Sequence, residues 1–194
     1  LAANGIIVEP GGPAVVDRTP PTLADLPTDM TIEPGGPGGV VVTYALPTAT
    51  DAFDANPTVS CTPASGETLA LGESLVTCTA RDGSGNASSA SFTVTVRDTI
   101  APTLSSVPTD QTLEAPSAAG ATATFLPPTA SDTVDSDPAV SCATASGSTF
   151  PLGTTSVTCT ATDDWDNTAS ATFNVTVVDT TAPSLTIPAD LVFV

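Results

Sequence analysis

The 194-residue chain repeats itself at a fixed period. Asp17, Asp98 and Asp179 are evenly spaced (98 − 17 = 81; 179 − 98 = 81). The same step relates Cys61 to Cys142, Cys78 to Cys159, Asp51 to Asp132, Gly66 to Gly147, Gly72 to Gly153 and Phe92 to Phe173. Repetition without insertion means that each copy is a self-contained unit, large enough to bury a small core. The copies run over 18–98 and 99–179, with shorter segments at 1–17 and 180–194.

Within a copy the apolar residues recur every second position, which is the period of a strand. "SFTVTV" sets Phe92, Val94 and Val96 on one face, and "TFNVTV" does the same with Phe173, Val175 and Val177. Val76, Cys78 and Ala80 share a face, as do Val157, Cys159 and Ala161. The pattern also predicts inward-facing Val40, Val42, Tyr44 and Leu46, matched by Ala121, Ala123, Phe125 and Pro127. Nineteen Pro and fourteen Gly break the chain too often for long helices. Short alternating strands between turn residues predict an all-β chain of two tandem antiparallel sandwiches.

The four cysteines occupy inward positions, and their spacing predicts the disulfides Cys61–Cys78 and Cys142–Cys159. Zinc is the rival reading, but there is no His and each copy offers only two thiols. Disulfides imply an oxidising, extracellular or cell-surface location. The chain opens on Leu1 with no signal peptide, which suits a processed product or a segment of something longer. No apolar run reaches the roughly 20 residues of a membrane span.

The formal net charge is −18, and the only basic side chains are Arg18, Arg81 and Arg97. A chain without a basic patch does not neutralise phosphates, so nucleic acid and anionic membranes are excluded as partners. With neither His nor Lys, nothing except a carboxylate could activate a Ser or Thr nucleophile, which argues against an enzyme.

Several stretches together resemble the hyalin repeat, or HYR domain: "DTIAPTL", "PTATD", the two Cys separated by "SG" and "LG", "DGSGN", and the final "FTVTV". In the second copy "DGSGN" becomes "DDWDN", so Gly83 and Gly85 are replaced by Asp164 and Asp166. The resemblance implies immunoglobulin-like sandwiches in extracellular multidomain proteins, with roles in adhesion or matrix-like assembly.

The acids that could hold calcium are Asp51, Asp54, Asp82 and Asp98 in the first copy, and Asp132, Asp135, Asp163 and Asp179 in the second. The alternative is that these Asp residues only close Asx turns and stay solvated. Trp165, the single Trp, lies between acids on a turn. It either packs over the edge of its own domain or contacts a glycan or protein partner. The sequons at Asn86 and Asn174 are candidate glycosylation sites.

Both chain ends read as orphan strands. "GIIVEPGGPAVV", with Ile6, Ile7 and Val8, resembles "DMTIEPGGPGGV" at 29–40. The last sixteen residues repeat the opening of a copy and carry Leu185, Ile187, Leu191, Val192, Phe193 and Val194. Two functions follow. One is a fibre subunit that polymerises head-to-tail with copies of itself by donating a terminal strand. The other is an adhesion module of a longer repeat protein.

Overall fold

A computed structural model describes residues 6–7 and 15–186. The N-terminal strands β1 (Ile6–Ile7) and β2 (Val15–Val16) pair antiparallel with each other, Ile6 opposite Val16 and Ile7 opposite Val15. Ile6 and Ile7 are therefore paired within the chain. Val8, Ile187, Leu191, Val192, Phe193 and Val194 lie outside the described residues.

The first repeat contributes β3 (Thr22–Ala24), β4 (Met30–Ile32), β5 (Val40–Val41), β6 (Thr48–Thr50), β7 (Thr58–Thr62), β8 (Thr68–Leu69), β9 (Gly72–Arg81) and β10 (Ala87–Val96). The second repeats the set: β11 (Thr103–Ser105), β12 (Gln111–Glu114), β13 (Ala121–Thr122), β14 (Thr129–Ser131), β15 (Ala139–Cys142), β16 (Thr149–Phe150), β17 (Gly153–Thr162) and β18 (Thr168–Val178). The chain divides near residue 100 into two compact units, which are described separately. Among the described residues there is no helix.

In each unit one layer is a four-stranded sheet, ordered β4-β10-β9-β7 in the first and β12-β18-β17-β15 in the second. Its outer strand β4, or β12, runs parallel to the last long strand, and the other pairings are antiparallel. Two short ribbons accompany this sheet, β3–β6 with β5–β8, and β11–β14 with β13–β16. The Thr- and Val-rich segments suit strands because β-branched side chains pack well on a pleated surface.

The core follows the period-2 reading. Val76, Cys78, Phe92, Val94 and Val96 pack with Val42 and Leu69, while Val157, Cys159, Phe173, Val175 and Val177 pack with Ala121, Ala123 and Phe150. Aromatics are scarce, so each one carries weight. Tyr44 meets Phe92 edge-on with ring centroids 5.1 Å apart, and Phe125 meets Phe173 at 4.8 Å. Such a pair adds about 0.5–1.5 kcal/mol beyond its buried area.

One predicted face fails locally. Leu46 and Pro127 are exposed, while their neighbours Pro47 and Pro128 are buried. The alternation slips because the chain changes partners there, leaving β8 after β5 and joining β3 as β6. In the gap the Tyr44 amide bonds the Ser65 hydroxyl at 2.9 Å instead of a strand neighbour.

The disulfides form as expected. Cys61 faces Cys78 directly across β7–β9, and Cys142 faces Cys159 across β15–β17. Each links residues 17 apart in sequence, which should stabilise a repeat by about 3 kcal/mol on the chain-entropy model.

The last strand of each repeat is tied off by a glutamate. Glu33 accepts from the Thr99 amide and hydroxyl. Glu114 accepts from the Thr180 amide at 2.7 Å, the Thr180 hydroxyl at 2.8 Å and the Thr181 hydroxyl at 3.0 Å. The Thr180 amide and hydroxyl, opposed weakly by burial and joined by Thr181, hold the Glu114 carboxyl below its ordinary value.

Gly120 has φ 102°, and a Cβ there would sit 1.8 Å from the Phe150 carbonyl oxygen. Gly147 also has positive φ, 87°, but open space around it. Gly120→Ala should therefore cost about 3 kcal/mol or more, whereas Gly147→Ala should cost about 1 kcal/mol; urea unfolding of both variants checks the contrast. For Glu114, a depressed folded pKa means stability present above the unfolded value, about 4.3, and lost as pH falls through the lower folded value. Carboxyl NMR should find Glu114 titrating below the ordinary glutamate value, and Glu114→Gln should lose less stability between pH 7 and pH 3 than the parent chain.

Candidate functional site

The candidate site is a group of carboxylates assembled from three separate pieces of the first repeat. Asp51 lies just beyond β6, whose antiparallel pairing with β3 sets Thr50 opposite Thr22. That register brings the end of β6 beside the segment leading into β3, where Asp17 stands. Asp82 follows β9 and opens the turn to β10. One carboxylate oxygen from each of Asp17, Asp51 and Asp82 lies within 4.8 Å of the other two. Asp98, Asp132 and Asp163 occupy the same positions one period later in the sequence.

The turn that holds Asp82 is built by its own side chain. Asp82 Oδ1 accepts from the amides of Ser84 at 2.9 Å and Asn86 at 2.8 Å, and Oδ2 accepts from the Asn86 side-chain amide at 2.8 Å. The Asp82 amide donates to the Asn86 carbonyl, closing the hairpin. Asp163 repeats the scheme with Trp165 and Asn167. Burial pushes the Asp82 and Asp163 carboxyls up, but hydrogen bonds from Asn86 and Asn167, with the turn amides, outweigh it and hold both below the ordinary aspartate value. Both are anchored as anions.

Asp17 is different. It is 4% exposed; its Oδ1 accepts from the Thr19 amide at 2.9 Å, and its Oδ2 is buried with no hydrogen-bond partner. Asp51 is half-buried. Its Oδ1 caps the Phe53 and Asp54 amides, and its Oδ2 is likewise buried and unpartnered. Like charges at these separations repel, and buried unpaired oxygens are costly.

The structure redistributes the acids expected from the sequence. Asp51 and Asp82 come together, but their third member is Asp17 and not Asp98. The lead-in Asp belongs with the strands that follow it, because β3 pairs with the strand end that carries Asp51. The signal for Asp17 was its 81-residue register with Asp98. Asp54 and Asp135 lie outside the group. Asp54 supports its group indirectly, its Oδ2 accepting from the Gly83 amide at 2.8 Å. Asp179, the third lead-in position, is exposed and accepts from the Thr181 amide.

Asn86 Nδ2 donates to Asp82 and, at 3.4 Å, to the Asp17 carbonyl, so this sequon's amide is engaged inside the site. Asn174 lies on β18, where its side-chain amide donates to Asp110 at 3.3 Å. Trp165 is half-buried beside Asp163. Leu185 is highly exposed, and residues 181–186 form no strand.

Two disulfide-stapled β-sandwiches in sequence register define a tandem repeat module. The chain belongs to the HYR domain family, which matches residues 16–96 and 97–177. It is 34% identical over 186 residues to hyalin of Lytechinus variegatus, covering 91% of this chain and 35% of that protein. It is 35% identical over 180 residues to hyalin of Strongylocentrotus purpuratus, covering 89% of this chain and 15% of that one. The chain thus spans about a third or less of these relatives. Among solved structures, human protocadherin-24 EC1-2 aligns with a TM-score of 0.36 at 16% identity, covering 84% of this chain and all of that one. Drosophila N-cadherin EC1-4 gives 0.36 at 14% identity, covering 83% of this chain and 50% of that one.

The second copy's turn carries a local cost that the first avoids. Asp166 sits at φ 65°, where its counterpart in the first copy is Gly85 at φ 91°. Asp166→Gly should relieve this backbone and, after the unfolded-state entropy of Gly, stabilise the second repeat by about 0.5 kcal/mol. Gly85→Asp should destabilise the first by a similar amount. Thermal unfolding of the two variants beside the parent chain reads both shifts.

Proposed function

We propose that the chain is a tandem adhesion and spacer segment of a longer extracellular protein, presenting its surface to a glycan or protein partner. The observation that carries this reading is the pair of HYR domains joined without insertion and shared over nine-tenths of the chain with hyalin. Each repeat brings its own core, disulfide and terminal glutamate clasp, so copies can be strung in series without depending on neighbours for stability. The disulfides fit an oxidising compartment, and among the described residues no helix is long and apolar enough to cross a membrane.

Strand donation into a homopolymer is the second reading. Its support is the segment after Asp179, where Leu185 is 86% exposed and residues 181–186 take no place in a sheet. The self-pairing of Ile6–Ile7 with Val15–Val16 leaves the C-terminal segment as the donor.

Sedimentation and light scattering on the full chain, beside a chain stopped at Thr180, separate the two. The module reading expects both to remain monomers, the full chain at 19.1 kDa, while beads coated with either bind the same extracellular material. Long particles formed by the full chain alone would overturn it in favour of strand donation.

A further inference from the structure

The group Asp17–Asp51–Asp82 has a property that an ordinary solvated acidic patch lacks. Its three carboxylate oxygens converge within 4.8 Å, and two further facts point inward. Asp17 is more than nine-tenths buried with an unpartnered Oδ2, and the Oδ2 of Asp51 is also buried and unpartnered. Ionised oxygens removed from water without a donor are costly unless a cation compensates them. Asp82 is held in place by hydrogen bonds from the Ser84 and Asn86 amides and the Asn86 side chain, so its carboxylate is positioned by its own turn.

The donor set consists of carboxylate oxygens. The chain has no His, and its cysteines are all in disulfides, so the chemistry selects a hard cation over zinc or copper. Geometry narrows the choice further: calcium takes about six to eight oxygens in flexible arrangements, whereas magnesium demands a near-ideal octahedron and keeps several of its waters, so carboxylates gathered from three separate chain segments suit calcium.

We propose that Asp17, Asp51 and Asp82 bind one calcium ion. The ion clamps three pieces of chain that are distant in sequence: the segment leading into β3, the end of β6 and the β9–β10 turn. Mutual repulsion becomes common attraction, and the lead-in segment is fixed to its own sandwich. The site does not rest on the adhesion reading; it stands whichever partner the chain has.

The test uses the full chain stripped with a chelator and calcium chloride alone as titrant. Calorimetry should count one calcium ion fewer on Asp51→Asn than on the parent chain. Asn keeps a carbonyl oxygen for the Phe53 and Asp54 amides, and Asp17→Asn serves as a second, independent variant with the same expected loss of one ion. Calcium should raise the thermal midpoint of the parent chain by more than that of either variant. No saturable uptake by the parent chain, or equal uptake by the parent and both variants, would overturn the site and leave only diffuse counterion binding.

Discussion

Each repeat depends on one long antiparallel hairpin. In the first, β9 and β10 pair without a break from Arg81–Ala87 at the turn to Gly72–Val96 at the far end. This register puts Val76, Cys78 and Ala80 on the same face as Phe92, Val94 and Val96, so the hairpin alone supplies most of the core. Its flanks are then committed, β9 to β7 through the Cys61–Cys78 bond and β10 to β4. A slip of one residue would turn every core side chain to solvent. The turn that prevents the slip is therefore the most consequential few residues in the unit.

That turn is held by Asp82 and Asn86, and the same side chains build the acidic group. Asp82 satisfies the turn amides with its carboxylate and contributes an oxygen to the site; Asn86 bonds both Asp82 and the Asp17 carbonyl. Fold and site thus share residues. Asp82 cannot be neutralised to ease the electrostatics without loosening the turn that sets the hairpin register.

The sequence revealed the period, the two sandwiches, the inward faces of the long strands and both disulfides, because these follow from strict alternation. It was less informative where geometry depends on a change of partner. Leu46 read as inward because the alternation was carried through the point where the chain leaves β8 for β3, and Pro47 takes the buried place instead. The acidic groups were legible as positions but not as sets. Asp17 stands ahead of the first copy, and only the β3–β6 pairing shows that it belongs with Asp51. Asp54 looked equivalent to Asp51 by composition, yet it turns its oxygens to the Asn56 and Gly83 amides.

The placement of charge explains how so acidic a chain carries long strands without self-repulsion across the sheet. Within β3–β18 the only acids are Glu73 and Glu114. The outward faces of the long hairpins carry hydroxyls, which pair across the strands as Thr77 with Ser91, Thr79 with Ser89, Thr154 with Thr176 and Thr160 with Ser170. Cross-strand hydroxyl pairs are worth a few tenths of a kcal/mol each and add no field. Negative charge is concentrated in turns and lead-in segments, where the backbone can lend amides to the carboxylates. Asp17, Asp98 and Asp179 all do this in the same way, each capping the amide two residues on. The lead-in carboxylate is thus held by its own local turn, and the β3–β6 pairing brings Asp51 beside it.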